Sequence, residues 1–188
     1  MDIITEIENV FERFRNIPYL GEGCTQLEHA LQTAREAEKA FASDELITAA
    51  LLHDIGHMVH ELPMEDENYV GFWNQDDTHE VIGEKWLARG FPDAVTQPVR
   101  WHVLAKRYLV ATDPEYHGLL TAASAHVLEL QGGPMTAAEC AEFEGHPWAQ
   151  DAIAVRRWDD AAKTAGRHTP DLPHYLEIAK RCAKVSAT

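Results

Sequence analysis

Apolar residues recur every three to four positions along almost the whole chain, the spacing that gathers them on one face of an α-helix. Ile3, Ile7, Val10, Phe11 and Phe14 form one stripe, and Leu27, Ala30, Leu31, Ala34 and Ala37 form the next. Pro18 and Gly21-Glu22-Gly23 break the pattern between them. Asp44 is placed as the N-cap of a third helix running through Leu46 to about Val59. Residues 61–78 lose the periodicity and hold Pro63 and Gly71, which predicts a long loop carrying Tyr69, Phe72 and Trp73. Asp77-Thr78 then caps a helix from His79 to Arg89, which Gly90-Phe91-Pro92 ends. A helix from Asp93 puts Val95, Val99 and His102 on one face, and residues 114–130 continue helically through Leu119, Leu120, Ala123 and Val127. Gly132-Gly133-Pro134 and Gly145-His146-Pro147 bracket a short helical piece, followed by helices over 148–163 and about 171–183. With no βαβ alternation and no internal repeat, the expectation is an all-α helical bundle, one domain over residues 1–188.

Composition adds exclusions. At 188 residues and 45% hydrophobic content the chain is long enough for one well-buried core and short for two. No run of eighteen apolar residues could span a bilayer, and the first residues lack the basic-then-apolar order of a signal peptide. Cys24, Cys140 and Cys182 are odd in number with no CxxC spacing, which argues against a disulfide framework and suits a reducing, cytoplasmic setting. A formal charge of −15, from 16 basic and 31 acidic residues, disfavours nucleic acid as a partner. The same charge repels a small anion at long range, so such a ligand must be drawn by bound metal or by a few local cations.

The chemistry concentrates at His53-Asp54, inside the apolar stretch Leu51-Leu52-His53-Asp54-Ile55-Gly56-His57. Burying an imidazole beside an ionised carboxylate is unfavourable unless they are paired or coordinated. A surface His-Asp pair is the plain alternative, but further candidates share helical spacing: His29, His79, His102 and Asp159. Four imidazoles and two carboxylates exceed a closed tetrahedral zinc site and include no thiolate, so mixed nitrogen and oxygen ligation favours iron or manganese. Asp54 is the natural bridge between two ions, with His29, His53 and Asp159 on one and His79 and His102 on the other. His57, one turn after His53, is a ligand, a group that orients one, or a substrate contact, with the last two favoured.

These residues resemble the HD-domain superfamily, whose H…HD…D pattern is matched by His29, His53-Asp54 and Asp159. The chain is similar in particular to its mixed-valent di-iron oxygenase branch, which adds two histidines matched by His79 and His102 and includes myo-inositol oxygenase. The segments Tyr19-Leu20-Gly21-Glu22, Gln26-Leu27-Glu28-His29 and Arg156-Arg157-Trp158-Asp159 look like the phosphonate-cleaving PhnZ and TmpB group. That resemblance implies two iron ions, Fe(II)/Fe(III), with O2 as co-substrate. It also implies that Tyr19 and Glu22 close the resting site and that His57, Lys106 and Ser124 contact a small hydroxyphosphonate. The implied reaction is oxidative cleavage of the carbon–phosphorus bond to a carboxylate and phosphate. The aromatics Tyr19, Tyr69, Phe72, Trp73 and Trp101, with Glu22, Glu65, Asp66, Asp76 and Asp77, lean the substrate towards a trimethylammonio substituent over a primary amine. An HD phosphohydrolase using metal-activated water, and a non-catalytic metal-dependent module, stay open; oligomeric state does not follow from the residues.

Overall fold

The computed structural model describes residues 2–19, 22–59 and 78–184. Among these the chain forms ten α-helices and one 3-10 turn, with no β-strand. They are α1 Ile3–Phe14, α2 Gln26–Lys39, α3 Asp44–Leu52, α4 Ile55–Val59, α5 His79–Leu87, α6 Asp93–Thr112, α7 Ala122–Leu130, α8 Ala137–Glu144, α9 Ala149–Asp160 and α10 Leu172–Cys182; the 3-10 turn covers Tyr116–Leu119. The all-α expectation holds.

Side chains at the helix starts explain several boundaries. Asp2 accepts from Ile4 and Thr5 amides at the head of α1, and Thr25 with Glu28 makes a reciprocal capping box on α2. Thr121 caps α7 through the Ser124 amide, Thr136 and Glu139 box α8, and Asp171 caps α10. Asp44 is not a cap: Ser43 accepts from the Leu46 amide, and Asp44 opens α3, where its charge suits the positive end of the helix. Thr78 precedes α5 in the left-handed region, φ 51°, without a side-chain cap, and Asp77 lies outside the described residues.

Two expected helices are divided. The third ends at Leu52 and resumes at Ile55, so His53-Asp54 occupies the junction of α3 and α4. Likewise 114–130 splits into the 3-10 turn and α7, with Leu120 extended and Thr121 restarting the helix. The expected loop over 61–78, with Tyr69, Phe72 and Trp73, lies outside the described residues but for Thr78.

α6 and α9 form the middle of the bundle; α2 and α3 pack together and against α9, α10 covers α3, and α5 lies on α4 and α6. Ile7, Phe11, Leu51, Leu52, Ile55, Leu87, Phe91, Val95, Val99, Val155, Tyr175 and Ala179 share one continuous core. A satellite cluster of Ala105, Met135, Phe143, Ala149 and Ala152 sits beyond α6 and takes in Trp101. Cys24, Cys140 and Cys182 are free thiols. Among the described residues no helix is long and apolar enough to cross a membrane.

Candidate metal centre

The six potential ligands arrive from five places in the fold. His29 lies one turn into α2, His53 and Asp54 at the α3–α4 junction, His79 opens α5, His102 sits in the middle of α6, and Asp159 closes α9. All six are buried. The helix break matters because Cβ vectors along a continuous helix fan out by about 100° per residue. Leaving the helix after Leu52 lets consecutive residues His53 and Asp54 turn into one cavity. Gly56 completes the placement, since a Cβ there would lie 1.9 Å from the His79 carbonyl oxygen. Only glycine admits α5 so close to α4.

The carboxylate of Asp54 divides the imidazoles into two sets. Its Oδ2 lies 3.3 Å from His53 Nε2 and 3.6 Å from His29 Nε2, while its Oδ1 lies 3.4 Å from His79 Nε2 and 3.5 Å from His102 Nε2. Within the sets, His29 and His53 Nε2 atoms are 3.1 Å apart and those of His79 and His102 are 3.2 Å apart. Asp159 Oδ1 joins the first set at 3.4 Å from His29 Nε2.

The tautomers are fixed from behind. A main-chain carbonyl can only accept, so Nδ1 of His29 donates to Ala162 at 3.0 Å, Nδ1 of His53 to Ala50 at 2.9 Å and Nδ1 of His102 to Val99 at 2.6 Å. Each ring therefore aims its Nε2 lone pair inward. Two lone pairs meeting at about 3 Å repel unless a proton or a cation stands between them. Asp159 makes the same demand: Arg156 holds its Oδ2 at 2.7 Å, yet buried Oδ1 has no hydrogen-bond partner. An unsatisfied buried oxygen costs about 1–3 kcal/mol, and a metal ion would satisfy both.

Protonation follows the surroundings. Burial draws His29 down to about 4 and lowers His102. Burial opposes charge at His53 too, but the adjoining Asp54 carboxylate prevails and raises it. Burial likewise works against Asp54 and Asp159; His53, His102 and His79 keep the first well below the usual carboxylate range, and Arg156 and Lys163 keep the second below it.

The remaining expected residues surround this cluster. Pro18 pairs with Thr25 as an antiparallel bridge at the neck of a small loop. From it Tyr19 stacks on His29, ring centroids 3.9 Å apart, and donates its hydroxyl to Asp54 Oδ2 at 2.9 Å. Burial, with Asp54 and Asp159 beside it, holds that phenol well above its usual value, so it stays a donor. Glu22 accepts from the Thr121 hydroxyl at 2.6 Å. His57 stacks on His79 at 3.9 Å, its Nε2 4.0 Å from Asp54 Oδ1, within reach of the second set.

Lys106 is 3% exposed, a buried lysine and not one on a solvated helix face. Burial, with Arg156 nearby, pulls its ammonium down to about 7. Ser124 is engaged by a residue the sequence reasoning passed over: Lys163 donates to Ser124 Oγ at 2.9 Å and lies 3.8 Å from Glu22 and 3.6 Å from Asp159. It lies four residues after Asp159 in the sequence, just past the end of α9. Arg156, in the Arg156-Arg157-Trp158-Asp159 segment, clamps Asp159 and Asp160 and donates to Tyr116. Trp101 belongs elsewhere, hydrogen-bonded to Gln97 and packed on His146 and Phe143. Tyr19 is thus the one expected aromatic at the cluster among the described residues.

Comparison with known proteins gives the family. The chain matches the HD domain family over residues 27–186. It is 45% identical over 184 residues to the [1-hydroxy-2-(trimethylamino)ethyl]phosphonate dioxygenase (glycine-betaine-forming) of Leisingera caerulea, covering 96% of this chain and 90% of that one. It is also 45% identical over 168 residues to the hydroxymethylphosphonate dioxygenase of Gimesia maris, covering 89% and 82%. The chain belongs to the HD-domain family, and its His/Asp cluster has the donors to hold metal.

Proposed function

We propose that this HD-domain protein is a dioxygenase that cleaves the carbon–phosphorus bond of [1-hydroxy-2-(trimethylamino)ethyl]phosphonate, giving glycine betaine and phosphate. The observation that carries the reading is Asp54, each of whose oxygens faces its own pair of imidazoles, in a chain 45% identical to two hydroxyphosphonate dioxygenases. His29, His53, Asp54 and Asp159 would hold one iron ion and Asp54, His79 and His102 the other. Such a pair supplies Lewis acidity for the substrate's hydroxyl and phosphonate oxygens and one-electron chemistry with O2.

The protein's own groups do the rest. Lys106, Ser124 and Lys163 form the polar wall that receives the phosphonate, with His57 contacting the substrate beside the second position. Lysine gives that wall compact, adaptable positive charge. Tyr19 releases Asp54 as the substrate enters, and Glu22 leaves Lys163 to the phosphonate. Arg156 stays with Asp159 and Asp160 and keeps the ligand carboxylate oriented. The trimethylammonio choice is supported by the name of the Leisingera relative and by the acidic chain, formal charge −15, which draws a cationic substituent. The second relative supports hydroxymethylphosphonate as the competing substrate; 2-amino-1-hydroxyethylphosphonate, giving glycine, is the third.

The reaction balances without a reductant: hydroxyphosphonate plus O2 yields carboxylate plus phosphate, both atoms of O2 entering products. Iron-loaded protein should therefore consume one O2 per phosphate released, fastest with the trimethylammonio substrate. Phosphate release from ordinary phosphate esters without O2 would identify a hydrolase instead, and faster turnover of either other hydroxyphosphonate would reassign the substrate.

A further inference from the structure

We propose that Asp160 is a positioning residue for the ligand carboxylate of Asp159, acting through Arg156. The inference rests on the two-position reading above. Arg156, Asp159 and Asp160 stand at i, i+3 and i+4 on α9, so their side chains are neighbours on the helix surface. An arginine beside a carboxylate frequently takes both oxygens with a fork of two N–H groups. Arg156 gives that fork to Asp160: Nε donates to Oδ2 at 3.1 Å and Nη2 donates to Oδ1. It meets Asp159 through Nη1, 2.7 Å from Oδ2. The other Asp159 oxygen, Oδ1, faces His29 and is buried with no hydrogen-bond partner.

A solvated helical ion pair does not account for this grip. Arg156 is buried, and Tyr116, also buried, closes the group from outside α9. The Tyr116 hydroxyl accepts from Arg156 Nε at 3.0 Å and donates to Asp160 Oδ2. The guanidinium is thereby held in plane and in place, with Nη1 presented to one oxygen of Asp159. Lys163 lies 3.7 Å from Asp160 Oδ1 and 3.6 Å from Asp159 Oδ1, while its hydrogen bond goes to Ser124. Without Asp160, Arg156 is free to close its fork on both oxygens of Asp159, and a metal ion must then compete with it for Oδ1. Asp160 therefore keeps its neighbour's ligating oxygen available, an outer contact of the kind that orients ligating carboxylates.

Anaerobic Fe(II) titration of the metal-free protein, followed by calorimetry, separates the outcomes. Wild type should bind two ions. Asp160→Asn keeps the volume but not the paired acceptors, and should weaken one ion by about 10-fold while leaving the other unchanged. In an Arg156→Met background the same substitution should change neither constant by more than about twofold, because the group through which Asp160 acts is gone. Arg156→Lys, which keeps the charge without the fork, is a second background for the same comparison should the methionine variant not fold. An equal loss with and without the arginine would show a role in packing or local charge and overturn the proposal. Unchanged constants in Asp160→Asn would overturn it as well. A wild type holding a single ion would overturn the two-position reading itself.

Discussion

Lys106 shows how much a single side chain's meaning depends on its surroundings. Its spacing from His102 was legible in the sequence, but a lysine one turn from a histidine is ordinary on a solvated helix face. Burial decides the matter, and it also makes the contact titratable near neutrality. Because the folded value is lowered to about 7, the ammonium is present below that pH and lost above it. Sulfate, whose charge is constant over this range, should compete with substrate about tenfold more weakly at about pH 8 than at about pH 6. Lys106→Met should flatten that dependence, as measured by inhibition at fixed substrate. Lys163 was missed because, apart from Asp159 four residues before it, its partners Glu22 and Ser124 come from distant stretches that only the fold brings to it.

At the scale of elements, the break between α3 and α4 was the least legible feature of the site. Residues 46–59 hold no proline, and apolar spacing runs straight through them, so periodicity predicts one helix. Gly56 was the available signal, but isolated glycine inside a helical pattern has many explanations. Its reason is visible only once α5 is in place, with the His79 carbonyl filling the space a methyl would occupy. Gly56→Ala should push α5 away from α4. The expected outcome is destabilisation of about 1–3 kcal/mol in urea unfolding, together with loss of one metal ion in titration while the other is kept. The capping residues, by contrast, were partly readable, since Ser, Thr and Asp before apolar runs act locally. Asp44 was displaced by one residue because Ser43 beside it caps equally well and Asp suits the first turn.

For the whole molecule, the all-α architecture was legible as a buried stripe, four of the candidate ligands as an H…HD…D constellation, and His79 and His102 as two further histidines between its HD and its last Asp. The pairing of imidazoles across Asp54 did so only as an expectation about ligand sets; the opposed oxygens of one carboxylate are a three-dimensional fact. Ions that bind only the folded chain stabilise it by mass action. Removing metal with a chelator should lower the melting temperature by about 5–10 °C for a chain of this size when free metal had been about 100-fold above its Kd. Calorimetric scans with and without re-added Fe(II) check this, an unchanged midpoint being the contrary result. The ligands also have an order in time, since a chain is made from its first residue onward. All donors of the position formed by Asp54, His79 and His102 exist once residue 102 has been synthesised, whereas the other position waits for Asp159. Lys163, beside Ser124, comes later still. Under the proposed two-ion reading the full ligand set is therefore present only once α9, which packs on α6 and α2, has been made.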